Sequence, residues 1–172
     1  PKYRGGSPLN WQLINCEKTF GISVIKVNKE VDKGDIFFER KFIIKKDYDI
    51  NSLHKIANKN FPEMIIESIK KIVDNKKPKK QKKKGTTWKQ RSKKDSKFDF
   101  KTKTFVQADR FVKALQYPYP NAFFYFKSIK YEILKVIKSK KKLKPGDISL
   151  NSNIMYLGLK NSAAKVKFKT NL

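Results

Sequence analysis

The sequence predicts an α/β segment followed by an all-β segment. In the first third, a glycine-rich loop at residues 4–8 leads into an apolar-faced helix and then a β-branched strand, the order expected in an α/β sheet. In the last third, short runs of β-forming residues are separated by turn-forming residues. A lysine-rich stretch lies between them, so we expect one domain portion at 1–74, a basic linker at 75–95 and a second domain at 96–172.

Length and composition indicate a folded protein without a membrane-spanning segment. The 172 residues are 38% hydrophobic and 13% aromatic, which is enough to build a core and argues against a disordered chain. No apolar run approaches the roughly 20 residues that cross a bilayer. One cysteine, Cys16, excludes an internal disulfide and agrees with a reducing compartment. We therefore predict a cytoplasmic protein with no membrane partner, and no metal is expected because His and Cys residues do not cluster.

The net charge of +27 has two explanations that the composition leaves open. Clustered cationic side chains gain affinity for nucleic acids by displacing counterions from phosphates. However, the excess is nearly all lysine, and lysine lacks the forked donor of arginine that suits phosphate recognition. A lysine-rich surface with frequent Asn, Ile and Phe also arises from an AT-rich genome.

An acidic loop follows the first predicted strand. The helix carries Leu9, Trp11, Leu13 and Ile14, and the strand runs from residue 21 to 27. Asp32 and Asp35 then flank Gly34, where the backbone can turn sharply and a ligand can approach closely. This pattern fits an ordinary turn. It also fits the rim of an open sheet, where ligands bind beyond the carboxyl ends of the strands.

A second strand and a long helix complete the first segment. Residues 36–44 are rich in Phe and Ile and predict a strand. Apolar residues then recur every three to four positions from 50 to 72, with Asp49 or Asn51 as the candidate N-cap. Pro62 interrupts this pattern, so we expect a kink or a new helix beginning near Phe61. The helix is expected to pack on the sheet.

The lysine-rich segment, residues 75–85, has the sequence NKKPKKQKKKG. Its like charges repel one another, which favours a solvated linker. The functional alternative is a basic finger that contacts the phosphates of a tRNA or another polyanion.

The last third predicts a short helix and a small β-barrel. Apolar residues between 105 and 115 fit a helix that ends before Pro118. Strands are expected at 123–126, 129–137, 148–150, 154–159 and 165–169. Several short strands at hairpin spacing are typical of a barrel, and an OB-like barrel carrying Lys and Tyr could bind oligonucleotides.

Several blocks resemble a known enzyme family. The strings PKYRGGSPLNW, GISVIKV and VDKGDI, in this order, are similar to the central part of the folate-dependent formyltransferases, which include methionyl-tRNA formyltransferase and the sugar-nucleotide N-formyltransferases. Residues 87–100 resemble the entry of sugar-modifying members into their second domain, and residues 117–123 resemble a family turn. The resemblance implies the C-terminal part of a Rossmann-like formyltransferase domain followed by a small OB-like β-barrel.

The resemblance also implies a catalytic trio of Asn, His and Asp. Asp32 matches the aspartate, whereas the Asn-x-His motif stands just before the block that matches Pro1. We therefore expect the chain to be part of a longer protein and to be inactive alone. His54 lies in the helical pattern and is not a substitute. The implied folate-contacting residues are Pro1, Gly6, Asn28, Lys29, Glu30, Val31 and Asp32.

Three further residues are candidates for contact with the second substrate. Trp88 and Arg91 match the sugar-modifying pattern, and Tyr119 lies in the turn. Their structural alternatives are that Trp88 docks the linker, that Arg91 pairs with Asp95 across one turn, and that Tyr119 fixes the turn.

The implied function is transfer of a formyl group from 10-formyltetrahydrofolate, the co-substrate, to a primary amine. An amino-sugar nucleotide is slightly preferred over initiator methionyl-tRNA as the acceptor. The alternative is a non-catalytic basic RNA-binding module.

Overall fold

The computed structural model describes residues 2–82 and 85–170, and these divide into two compact units. The first unit contains Glu17–Arg91 together with the residues before Leu13. The second contains Leu13–Cys16 and the residues from Ser92 onward.

The elements of the first part of the chain follow the predicted order. They are β1 (Arg4–Gly5), α1 (Pro8–Ile14), β2 (Thr19–Ile25), β3 (Ile36–Ile43), α2 (Ile50–Val73) and β4 (Thr87–Trp88). β2 and β3 form an antiparallel pair, and β1 pairs with β4 in parallel. The acidic loop is therefore the connection between two neighbouring antiparallel strands.

β2 begins and ends two residues earlier than the sequence predicts. Its register pairs Thr19 with Ile43 and Phe20 with Phe42, whose rings stack with centroids 5.1 Å apart. Phe20 and Ile22 alternate with exposed residues, as in a strand with one buried face. The predicted end at Val27 is wrong because that side chain is 87% exposed, so no packing extends the strand.

Helix α2 is one continuous element of 24 residues. The carboxylate of Asp49 accepts a hydrogen bond from the Ser52 amide, 2.8 Å away, which confirms Asp49 as the N-cap rather than Asn51. The prediction of a new helix near Phe61 is wrong. Pro62 lacks one amide donor, but the buried Ala57 and Met64 on either side of it anchor the same helix face, and this packing outweighs the loss.

The segment that follows α2 contacts β1 and β3 of the same unit. Lys79 and Ile36 exchange two backbone hydrogen bonds of 2.8 and 2.9 Å. Farther along, the Arg4 amide donates to the Thr86 carbonyl, also at 2.9 Å. The ends of the acidic loop and of β1 are therefore both next to residues 79–88.

The second unit is a helix followed by an antiparallel sheet. Its elements are α3 (Phe105–Lys113), β5 (Ala122–Phe126), β6 (Ile129–Ser139), β7 (Ile148–Asn151), β8 (Ile154–Gly158) and β9 (Ala163–Thr170). The five strands have the order β5-β6-β9-β8-β7. Within residues 92–170 no pairing joins β5 to β7, so the sheet is a curled half-barrel of the predicted OB-like kind.

Aromatic side chains form the core of the second unit. The rings of Phe98 and Phe111 stack with centroids 5.5 Å apart, and Phe100 packs edge-on against Phe124 at 5.1 Å. Tyr131 continues the series by stacking on Phe124. These contacts connect α3 to the sheet through large buried rings, which are the strongest packing contributions per residue.

Neither unit offers a membrane span in the part of the chain that the structure describes. No helix there combines the length and apolar character needed to cross a bilayer.

Candidate functional site

The carboxylate of Asp32 lies against the strand that contains Gly5. The Gly5 amide donates a hydrogen bond to Asp32 Oδ2 over 2.6 Å. Asp32 itself has φ +58°, in the left-handed region that costs a non-glycine residue on the order of 1 kcal/mol. Other contacts of the loop must therefore stabilise this backbone conformation.

Gly34 allows the loop to close tightly. A Cβ added at this position would overlap the carbonyl oxygen of Lys26, so any side chain would push the two sides of the loop apart. The Lys26 amide also donates to the Asp35 carbonyl at 2.8 Å. The glycine in the Asp-x-Gly sequence is therefore required by a close backbone approach.

A glutamine from the lysine-rich segment contacts the same loop. Gln81 Nε2 donates to the carbonyl oxygens of Asp32 at 2.9 Å and Gly34 at 2.5 Å. Its Oε1 accepts from Arg4, whose Nε and Nη2 lie at 3.1 and 2.9 Å. Arg4 is only 9% exposed. Asp32, Gly5, Arg4 and Gln81 thus form one hydrogen-bonded group.

An open cavity of about 750 Å³ adjoins this group within the first unit. Its size is within the range of small-molecule sites, roughly 300–1,000 Å³. Asp32, Arg4 and Gln81 line it together with residues of β2, β3 and α2. The polar lining includes Glu17, Ser23, Glu39, Lys41, His54 and Asn58.

The predicted folate-contacting residues divide into two groups. Gly6 donates its amide to the Trp88 carbonyl at 2.9 Å and is part of the β1–β4 pairing region. The exposed tip of the acidic loop consists of Asn28, Lys29, Glu30 and Val31. Within this tip, Asn28 Oδ1 accepts from the Glu30 amide at 3.0 Å, which fixes a local turn. Pro1 lies outside the described residues.

Two of the three substrate candidates lie together. Trp88 packs against Trp11 with ring centroids 4.8 Å apart, and it stacks on Tyr3 with centroids 5.4 Å apart. The Arg91 guanidinium lies 5.2 Å from the Trp11 ring centroid, a cation–π arrangement. Trp88 therefore packs against Trp11 and Tyr3 within the first unit.

Tyr119, the third candidate, belongs to the second unit. Its amide donates to the Gln116 carbonyl at 3.0 Å, within the turn that precedes β5. Partial burial raises the pKa of its phenol above the usual value. It shares a unit with neither Trp88 nor Arg91.

Among residues 2–82 and 85–170, no group of three or more His, Cys, Asp or Glu side chains could hold a metal ion. Cys16 has a raised thiol pKa because burial disfavours the thiolate. The hydrogen-bonded group around Asp32 presents a carboxylate, amide donors and a cationic side chain.

Sequence reasoning missed Gln81 and the side chain of Arg4 as members of the site. Gln81 stands among lysines, and no local periodicity distinguishes it from them. Its one signal is that it is a polar, uncharged residue in a run of charges. Gln81 contacts Arg4, 77 residues away in the sequence, and Asp32, 49 residues away. Local sequence patterns do not indicate contacts over such separations.

Comparison with known proteins decides the family. The formyl transferase model matches residues 1–69, and the formyl transferase C-terminal domain model matches residues 90–167. This chain belongs to the formyltransferase family. The resemblance stated from the sequence is thus confirmed, and it extends over both units.

Curated relatives give the same family. Methionyl-tRNA formyltransferase of Caldanaerobacter subterraneus is 41% identical over 90 residues, which are 51% of this chain and 29% of that protein. Methionyl-tRNA formyltransferase of Malacoplasma penetrans is 29% identical over 153 residues, which are 87% of this chain and 48% of that protein. The formyltransferase chain described here thus spans less than half the length of these two relatives.

Solved structures confirm the fold. HypX from Aquifex aeolicus in complex with tetrahydrofolic acid superposes with a TM-score of 0.75 at 19% identity, covering 100% of this chain and 31% of that one. WlaRD, a sugar 3N-formyltransferase solved in the presence of dTDP and 5-N-formyl-THF, gives 0.74 at 18% identity, with coverage of 99% and 61%.

Proposed function

We propose that this chain is part of an enzyme that transfers the formyl group of 10-formyltetrahydrofolate to a primary amine. The observation that carries the proposal is the Asp32 loop: the carboxylate that matches the family aspartate lies 2.6 Å from the Gly5 amide and lines an open cavity. Family membership over both units supports it.

The chemistry needs more groups than the described chain supplies. The neutral amine attacks the formyl carbon, the carbonyl electrons move to oxygen, and the amine loses a proton to a base. The oxyanion electrons then re-form the carbonyl as the C–N bond to the folate nitrogen breaks, and that nitrogen keeps the bonding pair and takes up the proton from the base. Hydrogen-bond donors must stabilise the oxyanion, and a base must accept the proton. We assign those roles to an Asn and a His upstream of this chain. Asp32 would orient the imidazole and favour its protonated form.

The folate is expected to bind along residues 28–32 with Pro1 and Gly6, and this assignment follows the family resemblance. Asn28 to Val31 form an exposed loop tip, and their main-chain groups are the expected contacts. The domain division proposed is 1–74 for the formyltransferase portion, 75–95 for the linker and 96–172 for the OB-like domain.

For the acceptor we place initiator methionyl-tRNA ahead of an amino-sugar nucleotide, which reverses the slight preference from the sequence. Both curated relatives above carry the name methionyl-tRNA formyltransferase. A net charge of +27 also suits a polyanionic acceptor better than a small nucleotide. Trp88, Arg91 and Tyr119 remain the candidates for acceptor contact.

The proposal is tested with the complete reading frame that encodes this chain. That protein should formylate methionyl-tRNA faster than a nucleotide-linked amino sugar, with 10-formyltetrahydrofolate as donor. Formyl transfer to neither amine would overturn the proposal. The 172-residue chain assayed alone should show no turnover, and turnover by it would contradict the assignment of Asn and His to upstream residues.

A second candidate function, a basic RNA-binding module, is favoured by the second unit. Lys135 and Lys167 are directly opposite each other in β6 and β9, an arrangement of like charges that a bound anion would stabilise. Lys141 also lies over the Tyr156 ring, 4.7 Å from its centroid. RNA binding that weakens steeply with salt would support this candidate, and salt-independent binding would contradict it.

A further inference from the structure

Both amide hydrogens of Gln81 are directed at the backbone of the acidic loop. Nε2 donates to the carbonyl oxygens of Asp32 and Gly34, at 2.9 and 2.5 Å. These two carbonyls stand on either side of Lys33. The Gln81 side chain, from the lysine-rich segment, therefore holds the backbone of the acidic loop at Asp32 and at Gly34.

Arg4 determines which way the Gln81 amide faces. Its Nε and Nη2 donate to Gln81 Oε1 at 3.1 and 2.9 Å, and Nη2 also donates to the Lys82 carbonyl at 3.1 Å. Because a guanidinium has no acceptor, the oxygen of the amide must face Arg4 and the nitrogen must face the loop. Burial of Arg4, at 9% exposure, strengthens these bonds by excluding water.

The carboxylate of Asp32 is fixed from the same strand. Gly5, the residue after Arg4, donates its amide to Oδ2 at 2.6 Å. Asp32 is thereby connected to β1 twice, directly through Gly5 and indirectly through Gln81 and Arg4. Loss of the indirect connection would leave the left-handed backbone of Asp32, φ +58°, with fewer contacts that favour it.

We propose that Gln81 is a positioning residue that sets the direction of the Asp32 carboxylate. The expected effect of Gln81 on kcat rests on the proposed function. Its expected effect on the conformation of the acidic loop does not. A catalytic carboxylate misplaced by a fraction of an ångström loses much of its effect, because its hydrogen bond to the reacting base depends on distance and angle.

Amide hydrogen exchange in the 172-residue chain tests the structural part. Gln81→Glu keeps the size of the side chain and an oxygen for Arg4, but it replaces the donor nitrogen by a second oxygen facing two carbonyls. Exchange of the Gly5 amide should become at least about tenfold faster in Gln81→Glu and in Gln81→Ala. Lys80→Ala, at an exposed neighbouring position, is the matched control and should leave it unchanged.

Kinetics in the complete protein test the positioning role. Gln81→Ala should lower kcat by about tenfold while changing the KM for the folate by less than about threefold. In an Asp32→Asn background the same substitution should lower kcat by less than about twofold, because a residue that acts through Asp32 has nothing left to position. Equal factors in both backgrounds would overturn the proposal.

The two kinds of failure are distinguishable. Wild-type protein with no formyl transfer would contradict the proposed function, and the exchange measurement would still decide whether Gln81 fixes the loop. Active wild-type protein with an unchanged Gly5 exchange rate in both Gln81 variants would contradict the positioning role alone. If Gln81→Ala fails to fold, the isosteric Gln81→Glu variant provides both measurements.

Discussion

The two units are stabilised by different kinds of contact. In the second unit, buried rings from α3, β5 and β6 pack in a continuous series, with Phe98 and Phe111 5.5 Å apart. In the first unit, the acidic loop depends on hydrogen bonds from Gly5 and Gln81, residues distant in sequence. An apolar core tolerates small displacements of many atoms, whereas a polar group is disrupted by loss of one donor. The core of the second unit therefore depends on the volume of its buried rings, whereas the acidic loop depends on single hydrogen-bond donors.

The largest expected effect is loss of the core ring in the second unit. Phe98→Ala should lower the free energy of unfolding by about 3–5 kcal/mol, since Phe98 is 2% exposed and the substitution leaves a cavity. Tyr125→Ala, at a site that is 60% exposed, should change it by less than about 0.5 kcal/mol. Urea denaturation followed by amide exchange in β6 and β9 measures both, and equal effects would contradict an aromatic core.

Two glycine substitutions test the close backbone approach in the acidic loop of the first unit. Gly34→Ala should destabilise by about 1–3 kcal/mol because its Cβ would overlap the Lys26 carbonyl. Gly21→Ala is the matched control in β2, where a Cβ would meet its nearest atom at an ordinary 3.7 Å. Fluorescence of Trp11 and Trp88, both in the first unit, reports the urea midpoint. A Gly34 variant as stable as the Gly21 variant would mean that the loop is not closed as described.

The helix cap provides a smaller and local effect. Asp49→Ala should cost about 1 kcal/mol, because the Ser52 amide loses its acceptor at 2.8 Å. Asn51→Ala, exposed and one residue inside the helix, should stay within about 0.5 kcal/mol. Thermal unfolding measures the stability of both variants. A larger loss of stability in Asn51→Ala than in Asp49→Ala would contradict Asp49 as the N-cap.

The smallest effect depends on pH and lies in the second unit. The hydrogen bond from Lys130, with those from Asn121 and Lys169, lowers the Glu132 pKa from 4.5 to about 2. Because the folded pKa is the lower one, this contribution is complete above about pH 4.5 and is lost as the pH falls towards 2. Glu132→Gln should cost less than about 1 kcal/mol at pH 7, since both lysines are partly exposed.

That difference between wild type and Glu132→Gln should shrink steadily as denaturation is repeated from pH 5 to pH 2. A difference independent of pH in this range would show that the ionised carboxylate contributes no stability.

Periodicity in the sequence was sufficient for most of the fold. The strand bounds of the second unit agree with the sequence within two residues because β-forming runs alternate with turn-forming residues there. Burial in β6 alternates at Tyr131 and Ile133, and a register shift after Ile133 moves the next buried position to Val136. Helix α2 was predicted through its apolar spacing, but its continuity through Pro62 depends on tertiary packing. The end of β2 was misplaced because Val27 has the composition of a strand residue without its burial.

The site was predictable to a lesser degree. Asp32 was found through resemblance to the formyltransferases, and its spacing alone also fitted a simple turn. Gln81 and Arg4 were not found, because hydrogen bonds between residues 77 positions apart leave no local pattern. The sequence therefore indicates which carboxylate to examine, and the structure indicates what fixes it.

We expect Asp32, and not Asp35 of the same loop, to serve in formyl transfer. The most direct test compares the kcat of Asp32→Asn and Asp35→Asn in the complete protein. Asp32→Asn should lower kcat by at least about 100-fold with an unchanged circular dichroism spectrum, and Asp35→Asn should stay within about twofold of wild type. Equal kcat values for Asp32→Asn and wild type would contradict the account.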